Sequence, residues 1–327
     1  MMYVWLLVGF VLLIKGADFF VDGASSIARL LRIPAVIIGL TIVAMGTSAP
    51  EAAVSISAGL VGKNEIALSN VVGSNIFNLL VVAGVCAVMK PFAVEKTIFK
   101  RDFPINIIFS FILLFILWQF NEISRTSGII LLVCMAFYLF LTVRAAIKNK
   151  IEDDNDTASD LYKSLADKLG KVICSKTAVD AILSILFCAV GLTAVIFGGD
   201  MVVDNASAIA SSLGLSDTLI GLTIVAIGTS LPELVTSIVA ARKGQSDLAM
   251  GNVIGSNIFN LAFIIGLSAT IHPIAATPEA IFDTLIMIAT TIVMYILCMG
   301  KKHIINRYEG AFCALIYIGY TVYIIMR

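Results

Sequence analysis

Two glutamates, Glu51 and Glu233, lie inside stretches otherwise apolar enough to cross a bilayer. A carboxylate there is costly unless it faces a cavity or a partner. Each belongs to the pattern GTSxPE, residues 46–51 and 228–233, and each is followed by GSNxFN, residues 73–78 and 255–260. Thr47, Glu51 and Ser55 are spaced i, i+4, i+8, as are Thr229, Glu233 and Ser237, so a helical path places each trio on one face. Pro50 and Pro232 each remove a backbone donor and disfavour helix at the residue before. The helix should break there and free carbonyl oxygens around Ala44 to Ser48 and Ala226 to Ser230, which can ligate a dehydrated cation at bilayer depth. Ser74 and Asn78, and likewise Ser256 and Asn260, lie four apart and complete a ring of oxygen. Carboxylates of Glu51 and Glu233, hydroxyls of Thr47, Ser48, Ser74, Thr229, Ser230 and Ser256, and amide oxygens of Asn78 and Asn260 include no nitrogen or sulfur base. Hard cations such as Ca²⁺ and Na⁺ prefer such ligands, whereas Zn²⁺ and Cu²⁺ favour His or Cys.

The two patterns are parts of one repeat. Gly39 to Leu79 returns as Gly221 to Leu261, an offset of 221 − 39 = 182, and 25 of the 41 aligned positions are identical without a gap. The same offset matches Asp18, Asp22, Ala24 and Ser25 with Asp200, Asp204, Ala206 and Ser207. These aspartates lie toward helix ends, where a solvated or capping role and a vestibule role are equally open. Gly46, Gly73, Gly228 and Gly255 would let the segments approach closely. Plain helix bridging, a common use of Ser, Thr and Asn in membranes, accounts for residues such as Ser55 and Ser69. It does not account for Glu51 and Glu233, because no Lys or Arg lies in the facing segments. A bound cation is their natural partner.

The rest of the chain must hold these residues in a membrane. Of 327 residues 59% are hydrophobic and 13% charged, with mean hydropathy +1.01. Forty-four charged side chains are too few to coat a soluble protein of this size. Spanning stretches fall near residues 3–20, 33–61, 66–89, 103–120, 127–147, 178–199, 215–241, 248–270, 280–299 and 310–326. The expected fold is therefore all-α and integral to the membrane, with ten helices in two five-helix repeats, residues 1–147 and 178–327. They are joined by a polar linker, 148–177. An odd number of spans per repeat inverts the second copy. With the N-terminus outside, 18 of the 22 Lys and Arg fall in cytoplasmic loops and only Lys63, Arg125 and Arg327 outside, so the positive-inside rule puts both termini outside and the linker in the cytoplasm. Residues 1–20 lack the basic flank and cleavage site of a signal peptide and are expected to form the first span. The linker is expected to be solvated, with one amphipathic helix near 159–172. Its acidic cluster, Glu152, Asp153, Asp154 and Asp156, lacks the glycine and terminal glutamate of an EF-hand loop.

Several function classes are excluded by inventory. Zero formal charge and no basic tail leave no footprint for nucleic acid. The two histidines, His272 and His303, lie outside both patterns, so GTS has no partner to activate it as a nucleophile. No GxxxxGK[ST] phosphate loop is present. The six cysteines lack metal-type spacing. No enzyme activity and no cofactor are expected.

At GTSxPE and GSNxFN, one pair in each half, the chain resembles the calcium/sodium antiporters, the Ca²⁺/cation exchangers whose two repeats carry these motifs. The resemblance extends over all the expected helices. It implies the exchanger fold, a location in the cell (inner or plasma) membrane, and exchange of about three Na⁺ for one Ca²⁺ by alternating access, with Ca²⁺ extruded. The family's ligands then fall on Thr47, Ser48, Glu51, Ser74, Asn78, Thr229, Ser230, Glu233, Ser256 and Asn260, with the backbone carbonyls of Ala44 and Ala226. Asn260 departs from the Asp of several prokaryotic members and of the potassium-dependent exchangers, which leaves two central carboxylates and no evident place for K⁺. Ca²⁺/H⁺ exchange on the same fold and a cation channel are the alternatives, and the broken, inverted helices favour alternating access over a pore. The expected partners are the two ions and lipid, with the chain a monomer or a weak homo-oligomer.

Overall fold

A computed structural model of the chain describes residues 1–62, 64–148, 176–214, 226–300 and 303–326. The expected linker helix near 159–172, the acidic cluster, and residues 215–225 of the expected seventh span lie outside the described residues.

The first half contains α1 (Met2–Leu31), α2 (Ala35–Ile38), a π-helical turn (Gly39–Val43), α3 (Ala44–Thr47), α4 (Ala49–Leu60), α5 (Asn64–Phe77), a second π turn (Asn78–Val82), α6 (Ala83–Met89), β1 (Phe92–Ala93), a third π turn (Ile98–Asp102), α7 (Phe103–Phe120), β2 (Glu122–Ile123) and α8 (Arg125–Lys148). The second half contains α9 (Lys176–Ser212), α10 (Ala226–Gly228), α11 (Leu231–Arg242), α12 (Ser246–Phe259), a π turn (Asn260–Ile264), α13 (Ile265–Ile271), β3 (Ile274–Ala275), α14 (Pro278–Leu297), β4 (Ile304–Ile305) and α15 (Arg307–Met326). Among the described residues eight helices are long and apolar enough to cross a membrane, and the bent pair Ala35–Thr47 with Ala49–Leu60 makes a ninth. The chain is a mostly helical, multi-pass membrane protein.

Inner and outer helices separate by burial. The spans Asn64–Met89 and Ser246–Ile271, which carry the GSN motifs, are each 78% buried, against 11% for Arg307–Met326 and 28% for Arg125–Ile147. The outer helices show large apolar side chains such as Phe115, Phe137 and Leu315 to their surroundings, as a lipid-facing surface requires. Since lipid is as apolar as leucine, helices in a membrane associate through close backbone packing rather than a hydrophobic drive. That packing is seen between α1 and α9. A Cβ on Gly16 would lie 2.8 Å from the Val195 amide nitrogen and 2.9 Å from the Gly191 carbonyl oxygen, so no other residue fits there without movement. Asp18 and Asp22 lie within α1 and not at its end, and Asp22 is buried: Lys243 Nζ donates to Asp22 Oδ1 at 2.8 Å and to the Asp18 carbonyl oxygen at 2.9 Å, tying the end of α11 to α1.

The halves are also stitched together by strands. β1 pairs antiparallel with β4, and β2 with β3. The 182-residue offset carries Phe92–Ala93 onto Ile274–Ala275 and Glu122–Ile123 onto Ile304–Ile305, so each pair joins one strand from each half and the two pairs are counterparts.

Candidate cation site

The expected breaks in the GTSxPE segments occur, each at its Ser. α3 ends at Thr47, Ser48 leaves helical geometry (φ −82°, ψ 10°), and α4 begins with Pro50 in its first turn. The chain bends there by 47°. Ser230 repeats this (φ −92°, ψ 6°), with Pro232 in the first turn of α11. Proline is well placed in a first helical turn because its missing N–H would have no intrahelical partner. The break sets Glu51 and Glu233 in the first turns of α4 and α11, where the positive end of the helix dipole favours an anion.

Both glutamates are fully buried, and each takes a hydroxyl from the other half. Ser48 Oγ donates to Glu233 Oε1 at 2.8 Å, and Ser230 Oγ donates to Glu51 Oε1 at 3.0 Å. Ser74 Oγ lies 3.3 Å from the same Glu51 oxygen and 2.9 Å from Ser230 Oγ. Asn260 Nδ2 approaches Ser74 Oγ at 3.4 Å. Ser256 Oγ reaches the Ala44 carbonyl oxygen at 3.5 Å. Thr47 Oγ1 donates toward Asn252 Oδ1 at 3.1 Å and lies near the carbonyl oxygens of Val43 and Ala44. No Lys or Arg forms an ion pair with either glutamate among the described residues.

Five oxygens from these residues are buried without a hydrogen-bond partner: Glu51 Oε2, Glu233 Oε2, Asn78 Oδ1, Asn260 Oδ1 and Thr229 Oγ1. Four of them form two pairs separated by 182 residues. An orphaned buried acceptor costs free energy, and finding the same two atom types orphaned in both copies of the repeat argues against accident. Carboxylate and amide oxygens are ligands for a hard cation. Among the described residues no group of three or more His, Cys, Asp or Glu could hold a metal ion, so a cation here would draw on hydroxyl and amide oxygens as well as the two carboxylates.

The expected residues are placed unevenly around this network. Ser48, Glu51, Ser74, Ser230, Glu233 and Asn260 join in it directly, and Thr47 and Ser256 set their hydroxyls beside the Glu233 carboxyl. The Ala44 carbonyl is not freed by the break, because it still accepts the Ser48 amide at 3.0 Å. In the second half the Ser230 amide turns to the Ile227 carbonyl at 3.1 Å. The glycine expectation is met at Gly255, whose Cβ would lie 2.7 Å from Leu40 Cα, and at Gly228, whose Cβ would collide with Val203, and not at Gly73, where a Cβ would meet nothing within 4 Å among the described residues.

Four asparagines were not singled out by sequence reasoning. Asn75 and Asn257, the N of each GSN, bond across the two halves: Asn75 Nδ2 donates to the Asn257 carbonyl oxygen and Asn257 Nδ2 to the Asn75 carbonyl oxygen, both at 3.2 Å. Asn70 Nδ2 donates to Ser55 Oγ at 3.2 Å, and Asn252 Nδ2 donates to Ser237 Oγ at 3.0 Å. Both pairs are identical residues 182 apart, so the repeat itself carried the signal. The π turns that begin at Asn78 and Asn260 have no such signal. Their extra residue per turn re-aims the side chains after the motif, a device often found at functional sites.

Comparison with known proteins extends these similarities over nearly the whole chain. The sodium/calcium exchanger protein family matches residues 1–144 and 183–326. The chain is 35% identical over 343 residues to the sodium/calcium exchanger MaX1 of Methanosarcina acetivorans, covering 97% of this chain and 96% of that one. It is 34% identical over 300 residues to the inner membrane protein YrbG of Escherichia coli, covering 91% and 88%. Among solved structures, the sodium-calcium exchanger NCX_Mj soaked with 2.5 mM Na⁺ and 0.1 mM Ca²⁺ superimposes with a TM-score of 0.80 at 29% identity, covering 97% of this chain and 96% of that one.

Proposed function

The chain belongs to the sodium/calcium exchanger protein family, and from that premise we propose that it is a secondary antiporter that exchanges about three Na⁺ for one Ca²⁺ by alternating access. The observation that carries the reading is the matched set of unpartnered oxygens on Glu51, Glu233, Asn78 and Asn260. Glu51 and Glu233 supply the charge that a dehydrated Ca²⁺ needs. Thr47, Ser48, Ser74, Thr229, Ser230 and Ser256 supply hydroxyls, Asn78 and Asn260 amide oxygens, and Ala44 and Ala226 backbone carbonyls. With three Na⁺ in place of Ca²⁺, the same oxygens are divided among smaller charges.

The proposed frame is ten helices in two inverted five-helix repeats, 1–147 and 178–327. Both termini lie outside and the linker 148–177 is cytoplasmic. The strand pairs are consistent with this topology, which would put the loops of Phe92 and Ile305 on one side and those of Ile123 and Ile274 on the other: the loop holding Phe92 pairs with the loop holding Ile305, and that holding Ile123 with that holding Ile274. The chain works in the cell membrane as a monomer or a weak homo-oligomer.

Two ionised carboxylates make the Ca²⁺-loaded centre neutral and the three-sodium centre +1, so one net charge moves per cycle. A membrane potential acts on that charge with about 2.3 kcal/mol per 100 mV. A negative interior therefore favours Na⁺ entry and Ca²⁺ extrusion. The test is ⁴⁵Ca²⁺ uptake into proteoliposomes loaded with Na⁺, K⁺ or choline at fixed pH, with the potential clamped by valinomycin where K⁺ allows. Uptake should follow the outward Na⁺ gradient without K⁺, and should speed up when the interior is made positive. Uptake driven by a pH gradient alone would instead make the two glutamates proton carriers in Ca²⁺/H⁺ exchange. Coupled uptake indifferent to potential would replace three-for-one by electroneutral two-for-one exchange.

A further inference from the structure

We infer that Asn75 and Asn257 are positioning residues that fix which end of the Asn260 and Asn78 amides faces the ion; the inference rests on the cation-site reading above. It follows from the polarity of the bonds. The Asn257 carbonyl oxygen can only accept, so the Asn75 side chain must turn its Nδ2 toward it, as it does at 3.2 Å. That leaves Asn75 Oδ1 facing Asn260, at 3.0 Å from Asn260 Nδ2. Asn260 must then present its nitrogen to Asn75, and its Oδ1 is the atom left buried and unpartnered. The second half repeats each step. Asn257 Nδ2 donates to the Asn75 carbonyl oxygen at 3.2 Å, Asn257 Oδ1 accepts from Asn78 Nδ2 at 3.2 Å, and Asn78 Oδ1 is left unpartnered.

A backbone carbonyl thus dictates, through one fully buried amide, the orientation of the next. Without the relay an asparagine at 260 or 78 could offer its NH₂ to the site, and a positive hydrogen facing a cation repels it. The relay is crossed between halves: Asn75 controls Asn260, and Asn257 controls Asn78. It also anchors on backbone rather than side chain. Removing the Asn257 side chain leaves the acceptor that orients Asn75 in place, so the two arms are separable.

The test is Ca²⁺ affinity of the purified full-length protein, by calorimetry or ⁴⁵Ca²⁺ equilibrium binding, for Asn75→Ala, Asn257→Ala, Asn78→Ala, Asn260→Ala and their four cross-combinations. Asn75→Ala should weaken binding about fivefold or more, the scale of one lost hydrogen bond. It should weaken it no further once Asn260 is Ala, yet keep its full effect when Asn78 is Ala. Asn257→Ala should couple to Asn78→Ala and add independently to Asn260→Ala. Additive losses in all four combinations, or equal coupling of Asn75 to both ligands, would overturn the relay and leave the pair as a simple helix bridge. If an Ala variant does not fold, Asn75→Ser and Asn257→Ser run through the same cycles, and additive losses there overturn it as well. Glu51→Gln and Glu233→Gln are measured alongside. Normal Ca²⁺ binding in both would overturn the site itself, whereas lost binding without the crossed pattern overturns the relay alone.

Discussion

Glu51 and Glu233 occupy the same position in the two copies of the repeat, yet their surroundings differ. Glu51 Oε1 is approached by two hydroxyls, Ser230 and Ser74, whereas Glu233 Oε1 takes Ser48 and has the hydroxyls of Thr47 and Ser256 beside its carboxyl as well. Upstream, Thr47 is engaged with Asn252 and with carbonyls of its own helix, while Thr229 Oγ1 has no partner. The Ser48 amide keeps an α-helical bond to Ala44, and the Ser230 amide takes the shorter step back to Ile227. Near-identical sequence in a single chain has thus settled into two local arrangements. In the proposed alternating-access cycle this is expected, because the two halves of an inverted repeat exchange roles as the site opens to one side or the other. The charge is duplicated between the halves, while the surrounding hydrogen bonds differ.

That contrast can be broken most severely at the charges. Glu51→Gln and Glu233→Gln should each cut Na⁺-driven ⁴⁵Ca²⁺ uptake to about a hundredth or less, since placing a charge in a membrane interior costs several kcal/mol unless it is compensated. Each variant should remain inserted and at least as heat-stable without ions, because a neutral amide relieves an uncompensated buried charge. Near-normal uptake in either would mean that the halves do not share the ion.

Smaller changes sharpen the comparison. Ser48→Ala removes the 2.8 Å donor to Glu233 Oε1 but leaves the Thr47 and Ser256 hydroxyls beside that carboxyl, whereas Ser230→Ala leaves Glu51 with Ser74 alone. A hydrogen bond to a charged group contributes about 1.5–3 kcal/mol, so Ser230→Ala, which leaves one hydroxyl on its carboxyl, should weaken Ca²⁺ binding by about tenfold or more and Ser48→Ala, which leaves two, by less. Equal losses in a binding titration would show that the difference in dressing has no energetic weight. The threonines should give the smallest effects and of different kinds. Thr229→Ala should lower ion affinity by a few-fold with the ion-free melting temperature unchanged. Thr47→Ala should lower that melting temperature by a few degrees, since its hydroxyl is engaged within the protein. Paired thermal-shift and binding curves would separate the two.

Much of this arrangement was legible in the chain. The 182-residue offset located both breaks, because Pro50 and Pro232 leave little choice about where the helix ends, and it brought Glu51, Ser74, Ser230 and Glu233 into one network. It did not single out Asn75 and Asn257. Their spacing puts them on a different face from Ser74 and Asn78, and only the crossing of α5 with α12 shows that this face meets its own counterpart. The continued helical bond of the Ala44 carbonyl was equally hidden. Proline at 50 removes a donor for residue 46 and leaves residue 44 untouched, so a break inferred from sequence is displaced by a turn from where the carbonyls are released. The π turns at Asn78 and Asn260 leave no compositional trace, since an added residue per turn is a property of the packed helix.

The strand pairs carry a consequence for how the polypeptide is strung. β1 with β4 and β2 with β3 join the halves at two separate places, and α1 lies against α9 backbone to backbone. Physical continuity through residues 148–177 is then redundant once both halves are in the membrane. Two separately translated pieces, 1–147 and 178–327, expressed together should reassemble and co-purify through a tag on either piece, with Ca²⁺ uptake within about threefold of the uncut protein, because close helix packing between the halves outlasts loss of the effective concentration that a tether supplies. Each piece alone should transport nothing, because every hydroxyl seen donating from a GTS serine to a glutamate comes from the other piece. A co-purified pair without uptake would mean that the connecting segment is part of the working cycle.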